Sequence, residues 1–137
     1  MKYVLDTNAV SALMKGDDRV TGRLKRMAKG DVGVPQPVWA EIAYGIERLP
    51  RSRKRQALEE RLELIRGELV RSAWTDSVSD HFGVVKAALE RRGERIEDFD
   101  AAIAAHALAE SAVLVSANIG QMTRVPGVTV EDWARAT

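Results

Sequence analysis

Three acidic residues and one amide stand where predicted strands end or predicted helices begin. Asp6 and Asn118 each follow a short apolar run, and Glu41 and Asp100 each lie in the first turns of a predicted helix. Ligands of open α/β sheets bind beyond the carboxyl ends of the strands. If the four side chains converge there, they form an oxygen-rich pocket that contains three carboxylates.

Three neighbouring carboxylates repel each other, and one would be protonated at neutral pH unless a cation offset the charge. Oxygen ligands without thiolate or imidazole suit Mg²⁺ or Mn²⁺. Such an ion acidifies a bound water, which becomes the nucleophile, and also stabilises charge on a phosphoryl oxygen. These residue types therefore predict hydrolysis of a phosphodiester without a covalent protein intermediate.

Each of these residues also has a purely structural interpretation. Asp6 could cap a helix, and Asp100 could interact with a helix dipole. Glu41 could face solvent, and Asn118 could lie in a turn. Asp98 competes with Asp100 as the relevant acid. An acid that ends a buried strand is costly without a purpose, which favours a functional Asp6.

The composition predicts one soluble globular domain. The chain has 137 residues, of which 45% are hydrophobic and 30% charged, with no cysteine and a net charge of +1. No apolar run approaches the roughly 18–20 residues that span a bilayer, and an acid at position 6 comes too early for a signal peptide. We therefore expect a cytoplasmic protein. Its basic clusters at 23–29, 51–55 and 91–95 are solvated helix faces or a positive rim for a polyanion.

Apolar periodicity predicts alternating strands and helices. We predict strands at 2–5, 32–34, 69–73, 113–115 and 128–130, and helices at 9–14, 20–27, 38–49, 53–65, 77–92 and 99–110. Asn8 is the expected N-cap of the first helix, and Gly67 is the expected end of the fourth. The central strands are apolar on both faces, which favours a mostly parallel α/β sheet of four or five strands with helices on both faces.

Four motifs in order resemble those of the PIN-domain family. Val4–Asn8 resembles the opening strand with its Asp-Thr-Asn, and Val38–Gly45 is similar to the second motif, a helical Glu followed by Tyr-Gly. Asp100–Leu108 resembles the third motif, and Val113–Asn118 resembles the fourth. The tail from Arg124 to Trp133 is similar to that of VapC toxins. The resemblance runs from end to end, so residues 1–137 are interpreted as a single PIN domain.

The resemblance implies a role for each polar residue. It favours Asp100 over Asp98 by its offset from the Ile-Ala-Ala that follows, and it makes His106 and His81 structural. The tryptophans at 39, 74 and 133 are expected in the core or at a dimer surface. The implied site has metal ligands at Asp6, Glu41 and Asp100, a catalytic Asn118 at the metal or its water, and supporting hydrogen bonds from Thr7, Asn8 and Ser116.

The fourth motif departs from the family pattern. It has Ser116-Ala117-Asn118 where Thr-x-Asn or Thr-x-Asp is usual, and Gln121 stands where the family often has an acid. An acid at position 121 could support a second metal. Its absence favours a site that depends on one tightly held ion.

The function implied is a Mg²⁺- or Mn²⁺-dependent endoribonuclease toxin of a type II toxin–antitoxin pair. Its expected partners are RNA, a VapB-type antitoxin that alone binds operator DNA, and a second copy of the chain. A PIN nuclease of RNA processing and a degenerate PIN fold used only for binding remain alternatives. A phosphatase with Asp6 as nucleophile is disfavoured because Asn8 replaces the second Asp of the usual Asp-x-Asp.

Overall fold

The structure is a computed structural model that describes residues 1–135. Within that range, five strands form one sheet in the order β3-β2-β1-β4-β5, and every neighbouring pair is parallel. The elements in chain order are β1 (Tyr3–Leu5), α1 (Thr7–Met14), α2 (Asp18–Lys25), β2 (Val32–Pro35), α3 (Gln36–Glu47), α4 (Arg53–Glu68), β3 (Val70–Ser72), α5 (Asp76–Arg91), α6 (Asp98–Ala109), β4 (Val113–Val115), α7 (Ile119–Met122) and β5 (Val130–Glu131).

The strand order places a topological switch point between β1 and β4. The chain moves outward from β1 through β2 to β3, crosses back to β4, and then continues to β5 on the other side. Ligand sites of open parallel sheets lie at such points, beyond the carboxyl ends of the strands. Asp6 follows β1 and Ser116 follows β4, and the Asp6 amide donates to the Val115 carbonyl at 3.0 Å. The two polar ends are therefore adjacent.

The strands are short, and the central strands β1, β2 and β4 are mostly buried because helices cover both sheet faces. Right-handed connections place α1 to α4 on one face and α5 and α6 on the other. In agreement, α1 contacts α3 and α4, while α5 packs along α6. The predicted α/β fold with a parallel sheet is confirmed, and the sheet is parallel throughout.

Two hydrophobic clusters fix the helices against the sheet. The larger joins β1, β2 and β4 to α1 and α3 and includes Trp39 and Trp133, which are almost fully buried. The smaller lies between α5 and α6 and is built on Val85, Leu89 and the small side chains of α6. Alanines at 101, 104 and 105 are fully buried, so α6 approaches its neighbours closely. That approach brings the first turn of α6 to the switch point.

Two predicted helix ends were wrong. Helix α1 begins at Thr7, so Asn8 is already helical and Asp6 is the N-cap, with an extended backbone and a carboxylate that accepts from the Ala9 amide. Helix α4 continues through Gly67 to Glu68. Gly67 does not adopt the positive φ of a C-terminal glycine signal, because the Leu69 amide instead closes the helix on the Ile65 carbonyl.

The end of the chain also differs from the prediction. Strand β5 is Val130–Glu131 rather than 128–130, since Val130 aligns with Leu114 and the chain first turns at Gly127, which has φ +83°. Helix α7 was not predicted, because four residues are too few to show a helical period. Of the predicted single domain 1–137, residues 136 and 137 lie outside the described range.

Candidate functional site

Asp6 is a buried carboxylate at the centre of the site. Its side chain is only 4% exposed, and its Oδ1 accepts from the Ala9 amide at 2.8 Å. Asp6 therefore caps α1, as one of the structural interpretations held, and it also interacts with the other acids of the site. Capping fixes the carboxylate at the end of β1.

The charge on Asp6 is poorly compensated. Burial is the main cause that raises the pKa of Asp6, and the nearby carboxylates of Asp100 and Glu41 raise it further. Hydrogen bonds from the Ser116 hydroxyl and the Ala9 amide act in the opposite direction. The net effect is a raised pKa, which is expected first for a buried acid and second for an acid beside like charges.

Glu41 is half-buried on α3 and is held by α1. The Thr7 hydroxyl donates to Glu41 Oε1 at 2.5 Å. Thr7 directly follows Asp6, so the residue that begins α1 also orients the second acid. A hydroxyl donor to a carboxylate fixes its rotamer and leaves its charge in place.

Asp100 is the third acid, in the first turn of α6. Its pKa is raised mainly by burial, then by Glu41 and by Glu97. Within residues 1–135 its carboxylate accepts no hydrogen bond and forms no ion pair. By contrast, Asp98 pairs with Lys86 at 2.7 Å on the surface. The structure thus brings Asp100, and not Asp98, to the other two acids.

Asn118 and Ser116 form a small network at the end of β4. The Asn118 amide donates to Ser116 Oγ at 3.0 Å, which leaves the Ser116 hydroxyl hydrogen available to Asp6. Asn118 Nδ2 donates to Gln121 Oε1 at 2.6 Å. Sequence reasoning noted Gln121 only as a missing acid. Its spacing of three residues from Asn118, across the first turn of a helix, was the signal that it holds this side chain.

Some predicted residues lie apart from the acids. Asn8 is exposed, and among the described residues its side chain makes no hydrogen bond. His106 is fully buried behind the site, where its Nδ1 lies 3.1 Å from Ser72 Oγ. Of the tryptophans, Trp39 and Trp133 are in the core, while Trp74 is 46% exposed and contacts Phe82 and His106.

A cavity of about 560 Å³ opens beside two of the acids. Glu41 and Asp100 line it, while Asp6 is more deeply buried and does not. Two cations, Lys86 and Arg95, also line it, but Lys86 is paired with Asp98 at 2.7 Å. The lining is therefore mostly acidic, with carboxylates at positions 41, 90, 97, 98 and 100. A phosphate-bearing substrate would need a bound cation to offset these charges.

The donor chemistry of the site fits a hard divalent cation. All three acids offer carboxylate oxygens, and burial, followed by repulsion from neighbouring carboxylates, raises the pKa of both Asp6 and Asp100. In residues 1–135, however, no three acidic or histidine side chains are gathered closely enough to enclose an ion as they stand. The acids interact electrostatically without forming such a cluster.

Comparison with known proteins gives the family. The PIN domain model matches residues 3–127. The chain therefore belongs to the PIN-domain family. Its curated relatives include Ribonuclease VapC2 of Rickettsia felis, 32% identical over 97% of this chain and 98% of that protein. Another is the tRNA(fMet)-specific endonuclease VapC of Shigella flexneri, 28% identical over 98% and 99%.

Solved structures agree with this assignment. The structure of VapBC2 from Rickettsia felis bound to a DNA fragment from its promoter superposes with a TM-score of 0.86 and 28% identity, covering 97% of this chain and 99% of that one. DNA-bound VapBC from Salmonella typhimurium gives a TM-score of 0.82 and 26% identity, over 97% and 98%. The chain thus shares its whole fold with VapC-type proteins. No helix within residues 1–135 is long and apolar enough to cross a membrane.

Proposed function

We propose that this chain is an endoribonuclease toxin of a VapBC-type toxin–antitoxin pair. The observation that carries the proposal is the convergence of Asp6, Glu41 and Asp100 at the switch point of the sheet. Relatives named as ribonucleases match the chain along nearly its full length. Three acids whose charges repel each other, beside a cavity with a mostly acidic lining, fit a divalent cation that would in turn attract a phosphodiester.

Asp6, Glu41 and Asp100 are the residues that would hold Mg²⁺ or Mn²⁺. A divalent cation at these oxygens lowers the pKa of water and stabilises negative charge on the phosphodiester. Asp6 is fixed by its bonds to the first turn of α1, and Thr7 fixes Glu41. Asp100 has no hydrogen-bonding partner among the described residues, so its carboxylate is the one free to turn toward an ion or a water.

The remaining polar groups would position the reacting water and the RNA. Asn118, held by Gln121, presents its amide at the end of β4 beside Ser116. Arg95 lines the cavity, forms no ion pair among the described residues and would contact a phosphate of the bound strand. Lys86 also lines it but is paired with Asp98 at 2.7 Å. Asn8 has no such contact, so we expect it to contribute least of the predicted supporting residues.

The proposed partners follow from the solved relatives. Two of these are VapBC complexes bound to DNA, so we propose a VapB-type antitoxin that blocks this chain and alone contacts operator DNA. We also propose a homodimer that acts in the cytoplasm, where its RNA substrate is found. A PIN nuclease of RNA processing is the second candidate, and growth arrest on induction distinguishes it from a toxin.

Cleavage of a mixed RNA pool by the purified, antitoxin-free protein tests the proposal. We expect cutting with Mg²⁺ or Mn²⁺, none with EDTA, and at least a 100-fold loss in Asp6→Asn and Asp100→Asn. Asp80→Asn is the matched control, because Asp80 is an exposed acid of α5 that does not line the cavity. Equal loss in the control, or cutting that persists in EDTA, would overturn the assigned site.

A further inference from the structure

A second cavity, of about 300 Å³, lies at the amino end of α3 and away from the three acids. It is lined by Gln36, Trp39 and Ala40 of α3, by Arg66 of α4 and by Arg71 of β3. The lining side chains offer hydrogen-bond donors and two positive charges but no carboxylate. A cavity with this composition selects an anion.

The two arginines are not neutralised by strong partners. Arg71 is exposed on the edge strand β3, and it forms no ion pair within residues 1–135. Arg66 reaches only Glu63, at 3.5 Å and with the Glu63 side chain 75% exposed. Its guanidinium instead lies 5.5 Å over the Trp39 ring. Both cations are therefore available to a ligand.

Trp39 supplies an unsatisfied donor at the same place. The residue is only 4% exposed, and its Nε1 is buried with no acceptor among the described residues. A buried donor without a partner costs about 1–3 kcal/mol, so natural proteins seldom retain one without an acceptor that arrives from outside. Trp39 lines the cavity, and because its Nε1 is covered, an anion would reach this donor only when the side chains around it move.

The first turn of α3 adds to this arrangement. Pro35 stands at its N-cap and provides no side-chain hydrogen bond to the helix. Pro37 in the same turn has no N–H, so the first turn offers the Gln36 and Val38 amides, which have no side-chain acceptor among the described residues, at the position where the helix dipole attracts negative charge. The amino end of α3, the indole of Trp39 and the guanidinium groups of Arg66 and Arg71 are separate features. Each of them favours a bound anion.

From these features we infer that this cavity, here called the α3 anion site, binds a backbone phosphate of the RNA, next to the nucleotide that is cut. The inference rests on the proposed ribonuclease function. Helix α3 carries both features, since Gln36 begins it and Glu41 follows five residues later. At about 1.5 Å and 100° per residue, the two lie about 7.5 Å apart along the helix axis and about 140° apart around it. A strand that passes Glu41 would therefore turn around the amino end of α3 to place a neighbouring phosphate in the cavity.

Titration with inorganic phosphate tests the anion site without any reference to cleavage. The chain has three tryptophans, and their indole N–H signals are resolved by NMR, with Trp39→Phe used to assign that of Trp39. We expect phosphate to shift the Trp39 signal in the wild type and in Arg61→Gln, but not in Arg71→Gln. Arg61 is the matched control because it is an exposed arginine of α4 outside the cavity. Absence of a shift in the wild type would overturn the site.

RNA binding tests the identity of the anion. Binding is measured in Asp100→Asn protein, so that RNA is not cut, over a range of salt concentrations. Each phosphate neutralised on a single strand contributes about 0.7 to the slope of log affinity against log salt. Arg71→Gln should therefore lower that slope by about 0.7 and weaken binding about fivefold at low salt. Arg71→Lys and Arg61→Gln should keep most of the wild-type slope and affinity.

The two measurements separate the alternatives. A phosphate shift with an unchanged RNA slope would overturn the RNA assignment and indicate that the site takes a carboxylate of a partner protein or a free anion. If the wild type neither binds nor cuts any RNA, the proposed ribonuclease function fails together with the RNA assignment. The phosphate titration still decides whether the anion site exists.

Discussion

The Thr7 hydroxyl bonds to Glu41 Oε1 and so joins α1 to α3 across 34 residues of sequence. Thr7 directly follows Asp6. The Asp6 carboxylate is held in place because it caps α1, and the Glu41 carboxylate is held by the Thr7 hydroxyl. The geometry of the site therefore depends on the first turn of α1. This relationship makes the role of Thr7 testable apart from that of the acids.

Thr7→Val should lower kcat/KM about 10-fold, while Thr7→Ser should retain most of the activity. Outer groups that orient metal ligands typically contribute 10- to 100-fold in affinity or activity, and serine keeps the hydroxyl. The check is cleavage measured against Mn²⁺ concentration, where Thr7→Val should need more metal for half activity. A Thr7→Val enzyme with an unchanged metal requirement would show that Glu41 does not need this bond.

Asp6→Asn should stabilise the metal-free protein while it abolishes cleavage. Asparagine caps helices as well as aspartate does, and the change removes a buried charge whose pKa is raised by burial and by Asp100 and Glu41. We expect the Tm in EDTA near pH 7 to rise by roughly 2–5 °C, the effect of about 1 kcal/mol in a domain of this size. Differential scanning calorimetry provides the measurement.

The same variant gives a pH and metal signature. Because the folded-state pKa of Asp6 is raised, metal-free wild type is more stable below the ordinary pKa of 3.8 and loses that contribution as pH rises through the folded value. The stability of Asp6→Asn should not fall in this way as pH rises, because asparagine does not ionise. Mn²⁺ should raise the Tm of the wild type by binding the folded state and leave Asp6→Asn nearly unchanged. Equal metal stabilisation of both proteins would place the ion elsewhere.

His106 should make the fold sensitive to acid. Burial lowers its pKa from 6.5 to about 4, so the unfolded chain binds this proton more readily than the folded one. The stability contributed by neutral His106 is complete above pH 6.5 and is lost as pH falls toward 4, by about 3 kcal/mol. Urea unfolding of the wild type and of His106→Gln at several pH values should show a smaller decline in the variant.

His81 provides the control for that experiment. It lies on α5, where its Nδ1 hydrogen-bonds the Ser77 carbonyl oxygen at 2.8 Å. His81→Gln should keep the pH dependence of the wild type. If His106→Gln instead retains the full decline between pH 6.5 and 4, other groups must account for it.

Trp133 should be the tryptophan that matters most for stability. It is 1% exposed, packs against Tyr3 with ring centroids 5.3 Å apart, and lies under the Arg23 guanidinium. Trp133→Ala should cost about 3–5 kcal/mol, whereas Trp74→Ala, at a side chain that is 46% exposed, should cost roughly 1 kcal/mol. Urea unfolding that gives equal losses would contradict this ranking.

The sequence predicts the elements better than the contacts between them. A local signal marks Asp6 at the end of an apolar run, whereas the start of the alanine-rich helix offers both Asp98 and Asp100, and only the resemblance to the third PIN motif favours Asp100. The bond from Thr7 to Glu41 depends on how α1 packs against α3, which no local pattern encodes. Helix α7 and the role of Gln121 were missed because one helical turn has no period to detect.

The double role of Asp6, as cap of α1 and as acid of the site, also determines how easily a mutation inactivates the protein without unfolding it. A single base change converts an aspartate codon to an asparagine codon, and that change removes the charge while it keeps the cap. Most substitutions at position 6 would damage fold and chemistry together, but this one separates them. In cells that lose the antitoxin, survivors should therefore include folded, inactive Asp6→Asn proteins whose remaining surface is unaltered.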